Sequence, residues 1–452
     1  MDVVPTGTEV GNRGRRWVPW IAGVVVLTVA AAAVTWFVVG GQDSRSGAGG
    51  AGVSSTPTGT SSTVTSSDGA AEAKMLAEVD AILKARASAV VAGRLPQYLE
   101  HVDPSSRKLL QRDRQVFANL RRIGIRQLSY QRELNYSPEA QAKHGADAWA
   151  VRIMMMVQIA GIDSVPRASP LGYTFARRGG RWLLVADDDL AAEPDRGTYR
   201  EPWDLGTIEA VRGPGVLVIV PAGEGGNGRR LAREAQAAVR VVRSATRRAQ
   251  AGILVVALAD RRSFDPGWRT GGHPAGAVAV PNYVPTNPEL TDFKVAGSRV
   301  VINPDERRDE GRLLLAHEFT HAAMSPLGNA APTWLVEGFA MYVEYRLAEQ
   351  SGYRQGVAER RRELRREGLP AMTVLPIDGV FHGEYDEDSY GISWLIVEYL
   401  ASKYGLTTVN ALYADLAKGP DDPGIREQVI QKHLKISETA LVAAIKKYHG
   451  PA

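Results

Sequence analysis

The sequence predicts an α+β protein held behind one N-terminal membrane-spanning helix. Three observations predict it. An uncharged apolar run covers Trp17 to Val39. Residues 71–200 carry two helical patterns followed by strand patterns, and residues 201–452 carry strand patterns followed by long helical ones. A chain of 452 residues has room for two or three such units. It contains no cysteine, which excludes a disulfide scaffold, thiolate chemistry and cysteine-ligated zinc. The net charge of +4 is small for this length and does not point to nucleic acid.

Residues 1–16 are polar and end in Arg13, Arg15 and Arg16. The run at 17–40 is long enough to cross a bilayer core of about 30 Å as a helix. Trp17, Trp20 and Trp36 stand near its two ends, where aromatic rings prefer the interface. The arginines before it hold the N-terminus in the cytoplasm and place everything after it outside. The competing reading is a cleaved signal peptide. That reading needs an unusually long apolar core, and the small residues Ala30 to Ala33 lie inside the run instead of after it. Residues 41–70 are mostly Gly, Ser, Thr and Ala, a disordered linker spanning on the order of 30 Å.

In the first folded unit, residues 71–200, Leu76, Val79, Ile82, Leu83 and Val90 recur at helical spacing from Glu72 to Val91. A second helix is expected over Ser105 to Ile123. Strand patterns cover Arg126 to Tyr136 and Ala148 to Ile159. The segments Gly172 to Arg177 and Arg181 to Ala186, joined at Gly179-Gly180, read as a β-hairpin. Helices followed by a curved antiparallel sheet form a small α+β cone, and this element order is similar to the NTF2-like fold. Met154, Met155 and Met156 read as packing, and Asp187-Asp188-Asp189 as a solvated turn.

In residues 201–452, Val216 to Val220 and Ile253 to Leu258 read as buried strands, with a basic amphipathic helix from Arg229 to Gln250 between them. Ala275 to Pro281 and Ser298 to Ile302 add two strands to a mixed sheet. A buried helix is expected from about Asp305 to Ser325. A loop containing Pro326, Gly328, Asn329 and Pro332 follows, then a second helix from about Ala331 to Glu349. The alternating signs of Glu359 to Glu367 read as a solvated helix. A further helix opens at Ser389, and closing helices follow Gly424.

The chemistry sits in residues 313–345. His317 and His321 are four apart, so a helix puts both imidazoles on one face, one turn apart, where they can hold one metal ion. Glu318 is rotated by about 100° and can reach a water on that metal. Fifteen residues separate His321 from Glu337. Two antiparallel helices with a short loop bring Glu337 opposite the pair as a third ligand. The small Gly338 and Ala340 allow close approach. The bland alternative is a buried helix with two satisfied histidines, but a glutamate buried beside them needs a compensating partner, which a metal supplies.

The string His317-Glu318-Phe319-Thr320-His321, followed by Trp334-Leu335-Val336-Glu337-Gly338-Phe339-Ala340, resembles the gluzincin metallopeptidases. It is closest to the peptidase-MA-like branch and the M1 aminopeptidases. The resemblance implies one Zn²⁺ per chain on His317, His321 and Glu337, with Glu318 as general base. It implies an edge strand that holds the peptide substrate, for which Gly276 to Val280 is the candidate. It also implies a tyrosine at a helix start, aimed at the oxyanion. Tyr390 matches that position, although the lysine-glycine that usually follows is absent; His382 and Tyr385, just before it, can play the same part. The G-x-M-E-N segment with which the aminopeptidases grip a free amine is absent, which counts against aminopeptidase action. His101, His144, His273, His433 and His449 show no ligand spacing. The expectation is a membrane-anchored, outward-facing zinc peptidase whose partners are a peptide or protein substrate and, through residues 17–40, the membrane. The alternative is a non-catalytic envelope-binding or scaffold protein on the same fold.

Overall fold

The computed structural model describes residues 66–133, 138–190, 200–248, 252–265, 269–270, 273–287, 293–307, 311–328, 330–378, 381, 386–419, 422–448 and 450. The apolar run at 17–40 lies outside them. Among the described residues no helix is long and apolar enough to cross a membrane.

The first unit opens with α1 (Ser66–Ala92), which begins inside the stretch read as linker. It continues with a short α2 (Leu95–Leu99), α3 (Arg107–Ile123), β1 (Ile125–Arg132), a short α4 (Pro138–His144), β2 (Trp149–Ile159), β3 (Arg167–Arg178) and β4 (Arg181–Ala186). The strands form an antiparallel sheet in the order β1-β2-β3-β4. Gly179 and Gly180, with φ of 56° and 81°, make the β3–β4 turn, where a two-residue hairpin requires left-handed backbone. Within this unit Arg86 is wholly buried. It donates to Asp113 at 3.0 Å and to the Tyr98 carbonyl at 2.9 Å, and its guanidinium lies over the Tyr98 ring at 4.1 Å. Met154 and Met155 are packed on β2 as expected.

Asp187 and Asp189 do not form a solvated turn. Asp187 is held by Arg112 and Arg200, and Asp189 by Lys143, His144 and Thr174. Except for Arg200, their cationic partners come from α3 and α4, remote in sequence, which is why local composition misreads them.

The second unit carries β5 (Ile208–Gly213), β6 (Val216–Pro221), α5 (Gly225–Thr246), β7 (Ile253–Val256), the two-residue strands β8 (Arg269–Thr270) and β9 (His273–Pro274), β10 (Ala277–Pro285) and β11 (Phe293–Ile302). Its five-stranded sheet runs β10-β11-β7-β6-β5. The three central strands are parallel and the two edge strands antiparallel to their neighbours. Among the described residues six α-helices follow: α6 (Arg312–Met324), α7 (Thr333–Gln350), α8 (Arg354–Ala371), α9 (Asp386–Leu416), α10 (Pro423–Leu434) and α11 (Glu438–Lys446). α9 is two helices merged across a kink at Gly405. α8 is less solvated than its charges suggest: Leu364 is buried, and Arg361 pairs with Glu349 and Glu398 and lies 5.3 Å from the Trp394 ring.

Central strands of a parallel sheet are apolar on both faces because both are covered. Here Val216, Val218, Val220, Ile253, Val255, Val300 and Ile302 join the core beneath α5, α6, α7 and α9. Their alternate neighbours Leu217, Ile219, Leu254, Val256 and Val301 join a second core with α1, α3 and the first sheet. The first unit therefore roofs the far face of the second sheet. Polar bonds cross the same junction: Arg299 pairs with Asp163 at 2.8 Å, both buried, and Asn119 donates to the carbonyls of Trp203 and Gly206.

α7 crosses α9 closely. A Cβ on Gly338 would come within 2.3 Å of the Ser393 carbonyl oxygen. In an open helix Gly→Ala gains about 1 kcal/mol. At this contact Gly338→Ala is expected instead to lose about 1–3 kcal/mol through overpacking. Urea denaturation reads the sign directly, and a gain in stability would refute the close crossing.

Candidate metal centre

Local sequence sets where α6 and α7 begin. Gly311 precedes α6, and Pro332, with φ −61° and ψ 144°, precedes α7. Both helices are buried nearly all round: α6 packs against α5 and β10, and α7 against α9. A three-residue 3₁₀ turn, Ser325–Leu327, bends the chain between them. The antiparallel pair this makes is the one the loop length predicts.

The pair brings His317, His321 and Glu337 together, with one ligand atom from each within 4.8 Å of the others. Nε2 of His317 lies 3.4 Å from Oε2 of Glu337, and Nε2 of His321 lies 3.7 Å from the same oxygen. Ligands about 2.0–2.1 Å from a tetrahedral zinc are separated by about 3.4 Å, so these two edges fit. The imidazole centroids are 4.8 Å apart with planes at 61°. Both Nε2 atoms and both Glu318 oxygens are buried without a hydrogen-bond partner. Such orphaned groups are costly, and a dication relieves the histidines directly and the carboxylate through its field. The donor set of two imidazoles and one carboxylate suits zinc.

Glu318 is wholly buried and faces the edge strand β10, whose Ala279 amide acts on its carboxylate. Burial pushes the Glu318 carboxyl up; His317 opposes the rise and Glu337 adds to it, leaving it at about 8. Burial also acts to lower His317, but contact with Glu337 and the hydrogen bond to Glu344 override it and raise the imidazole to about 10. Burial and the charge of His317 hold His321 well below its ordinary value. A neutral-pH centre without metal therefore stores protons on His317 and Glu318.

Glu344 went unnoticed in the sequence. Its Oε2 lies 3.1 Å from Nδ1 of His317, fixing the ring so that Nε2 faces Glu337. The available signal was spacing: Glu344 follows Glu337 by seven residues, two helical turns along one face of α7. Tyr413 was also missed. It lies on the second half of α9, is 4% exposed and packs 6.2 Å from the Phe339 ring. Burial raises its pKa, Glu337 and Tyr283 raise it further and Arg248 opposes them, so its hydroxyl shares the field of the centre. No local pattern in so long an apolar helix marks it. Tyr390 is the fifth residue of α9, 2% exposed, edge-on to Phe381 at 5.3 Å. His382 and Tyr385 lie outside the described residues.

Two outcomes are expected. Glu344→Gln removes the carboxylate that orients His317 and should weaken zinc binding about 10- to 100-fold; competition with a chromogenic chelator measures it, and unchanged affinity would deny Glu344 this part. Because His317 must release its proton to bind, apparent zinc affinity should rise about tenfold per pH unit between roughly pH 6 and 8. Calorimetry in buffers of different ionisation enthalpy would register the proton released, and a flat profile would contradict a protonated His317.

No family model matches this sequence, and no curated protein matches it. Among solved structures, the chain is similar to an M1 zinc metallopeptidase from Deinococcus radiodurans, with 13% identity over 73% of this chain and 72% of that one, at a TM-score of 0.32. It is similar to a two-domain M1 zinc metallopeptidase bound to L-arginine, with 14% identity over 68% and 63%, at a TM-score of 0.33. Yeast LTA4 hydrolase matches with 10% identity over 72% and 60%, at a TM-score of 0.36. This chain thus spans about 63% of the length of the two-domain enzyme. At these scores the likenesses are distant ones of shape, and the chemistry rests on the residues of the centre.

Proposed function

We propose that the chain is a zinc-dependent peptidase, anchored by residues 17–40 with residues 71–452 facing outward. One observation carries the reading: His317, His321 and Glu337 converge on one point, with the buried carboxylate of Glu318 beside them. The anchor is supported by the uncharged run and the arginines before it. Residues 71–200 are read as an NTF2-like unit and 201–452 as the catalytic unit, on their element order.

His317, His321 and Glu337 would hold the metal. A bound zinc supplies Lewis acidity and a water acidified towards neutral pH. Glu318 accepts a proton as the water oxygen bonds to the scissile carbonyl carbon, then delivers it to the amine nitrogen as the C–N bond breaks. Tyr413, in the field of Glu337, and Tyr390, at the position the resemblance marks, are the two tyrosines to test for stabilising the oxyanion.

Glu318→Gln should keep its zinc and lose about 10²–10⁴-fold in turnover of a fluorogenic peptide library. A variant of wild-type activity would end this assignment. One observation favours a second reading: His317 and Glu318 have no exposed surface and His321 only 9%. A closed structural metal in a binding or scaffold module would look the same. Cobalt-substituted protein separates the two, because an open coordination position changes its visible spectrum when azide is added and a closed one does not.

A further inference from the structure

We infer that the outward face of α5 is a docking surface for a membrane that bears anionic lipids. The helix divides cleanly. Leu231, Ala235, Ala238, Val242 and Ala245 are wholly buried against the sheet and α6. Opposite them Arg229, Arg233, Arg240, Arg243 and Arg247 are all exposed. With 100° per residue Arg229, Arg233, Arg240 and Arg243 fall within about 40° of one line, and Arg229 to Arg243 extends about 21 Å along the axis; Arg247 follows as the left-handed C-cap.

The stripe lacks counter-charges. Glu234, the one acid within α5, lies off the line and pairs with Arg230 at 2.8 Å. Among the described residues no carboxylate pairs with Arg233, Arg240, Arg243 or Arg247. Gln236, the polar residue midway along the line, is turned to the Pro214 carbonyl. A straight row of unneutralised guanidinium groups complements a plane of phosphates, which arginine grips through two parallel donors.

Two sources of phosphate fit such a row, and two observations favour lipid. The helix carries no aromatic residue on which a nucleobase could stack. The uncharged run at Trp17 to Val39 ends 26 residues before α1, so a chain anchored there would keep the start of α1 within about 30 Å of a bilayer and the folded part beside its surface. That second observation rests on the anchoring part of the reading above; the stripe itself does not.

The absence of native cysteine permits a clean test on the full chain. Ser244→Cys, on the exposed side of α5, takes a single donor dye. The labelled chain is placed in nanodiscs containing a headgroup acceptor, made from phosphatidylcholine alone or with phosphatidylglycerol added. Energy transfer is expected to be high only in the anionic discs and to fall to the neutral-disc value in strong salt. Replacing Arg233, Arg240, Arg243 and Arg247 with Gln should also return it to the neutral-disc value, each arginine contributing about fivefold to surface partitioning. Equal transfer in both discs overturns the inference. If the chain is not retained by neutral discs, anchoring fails. Flotation with the two lipids as vesicles then decides: binding confined to the anionic vesicles upholds the docking face, and no binding overturns it. Tighter binding of a DNA duplex than of anionic vesicles would overturn it in favour of nucleic acid.

Discussion

The folded core has to accommodate charge. Glu318 and Glu337 are wholly buried where α6 meets α7, with His317 beside them and Glu344 just behind. Carboxylates removed from water are tolerated only when paired, protonated or set against a cation. The two helices cannot separate to let water in without dismantling the contacts of Phe319, Trp334 and Phe339, each nearly or wholly buried. The packing that positions the donors also fixes the charge they must balance, by protons on His317 and Glu318 or by a metal, so centre and core are one design.

The legible part of this centre was the part written in local spacing. Four residues on a helix determine that His317 and His321 share a face, whatever the rest of the chain does. Glu337 was reachable because a short loop between two buried helices leaves few arrangements. The supporting groups were harder. Glu344 shares the face of Glu337, and its value appears only once the ring of His317 is placed. Tyr413 is 76 residues beyond Glu337, a separation over which sequence pattern carries no distance.

The fold shows the same division. Strands with apolar runs, such as Val216 to Val220, announce themselves, but an apolar run does not say which face meets which neighbour. That Val218 turns to α5 while Leu217 turns to the first unit is a tertiary fact. β5 is more polar and half-buried, so its pattern was too weak to register. The acidic triplet at Asp187 was misread for a related reason: its meaning depends on Arg112, Arg200, Lys143 and His144, and composition alone treats unpaired and paired acids alike.

The covered far face of the second sheet has a thermodynamic consequence. Leu217, Ile219, Leu254 and Val256 belong to the core that α1, α3 and the first sheet complete. A boundary near residue 200 along the chain is therefore not a boundary in cohesion. Losing either unit strips the other of apolar burial worth about 25 cal/mol for each Å² exposed, a large toll against a typical net stability of about 5–15 kcal/mol. The two units should gain and lose order in a single cooperative transition, and neither is free to hinge while the other stays folded.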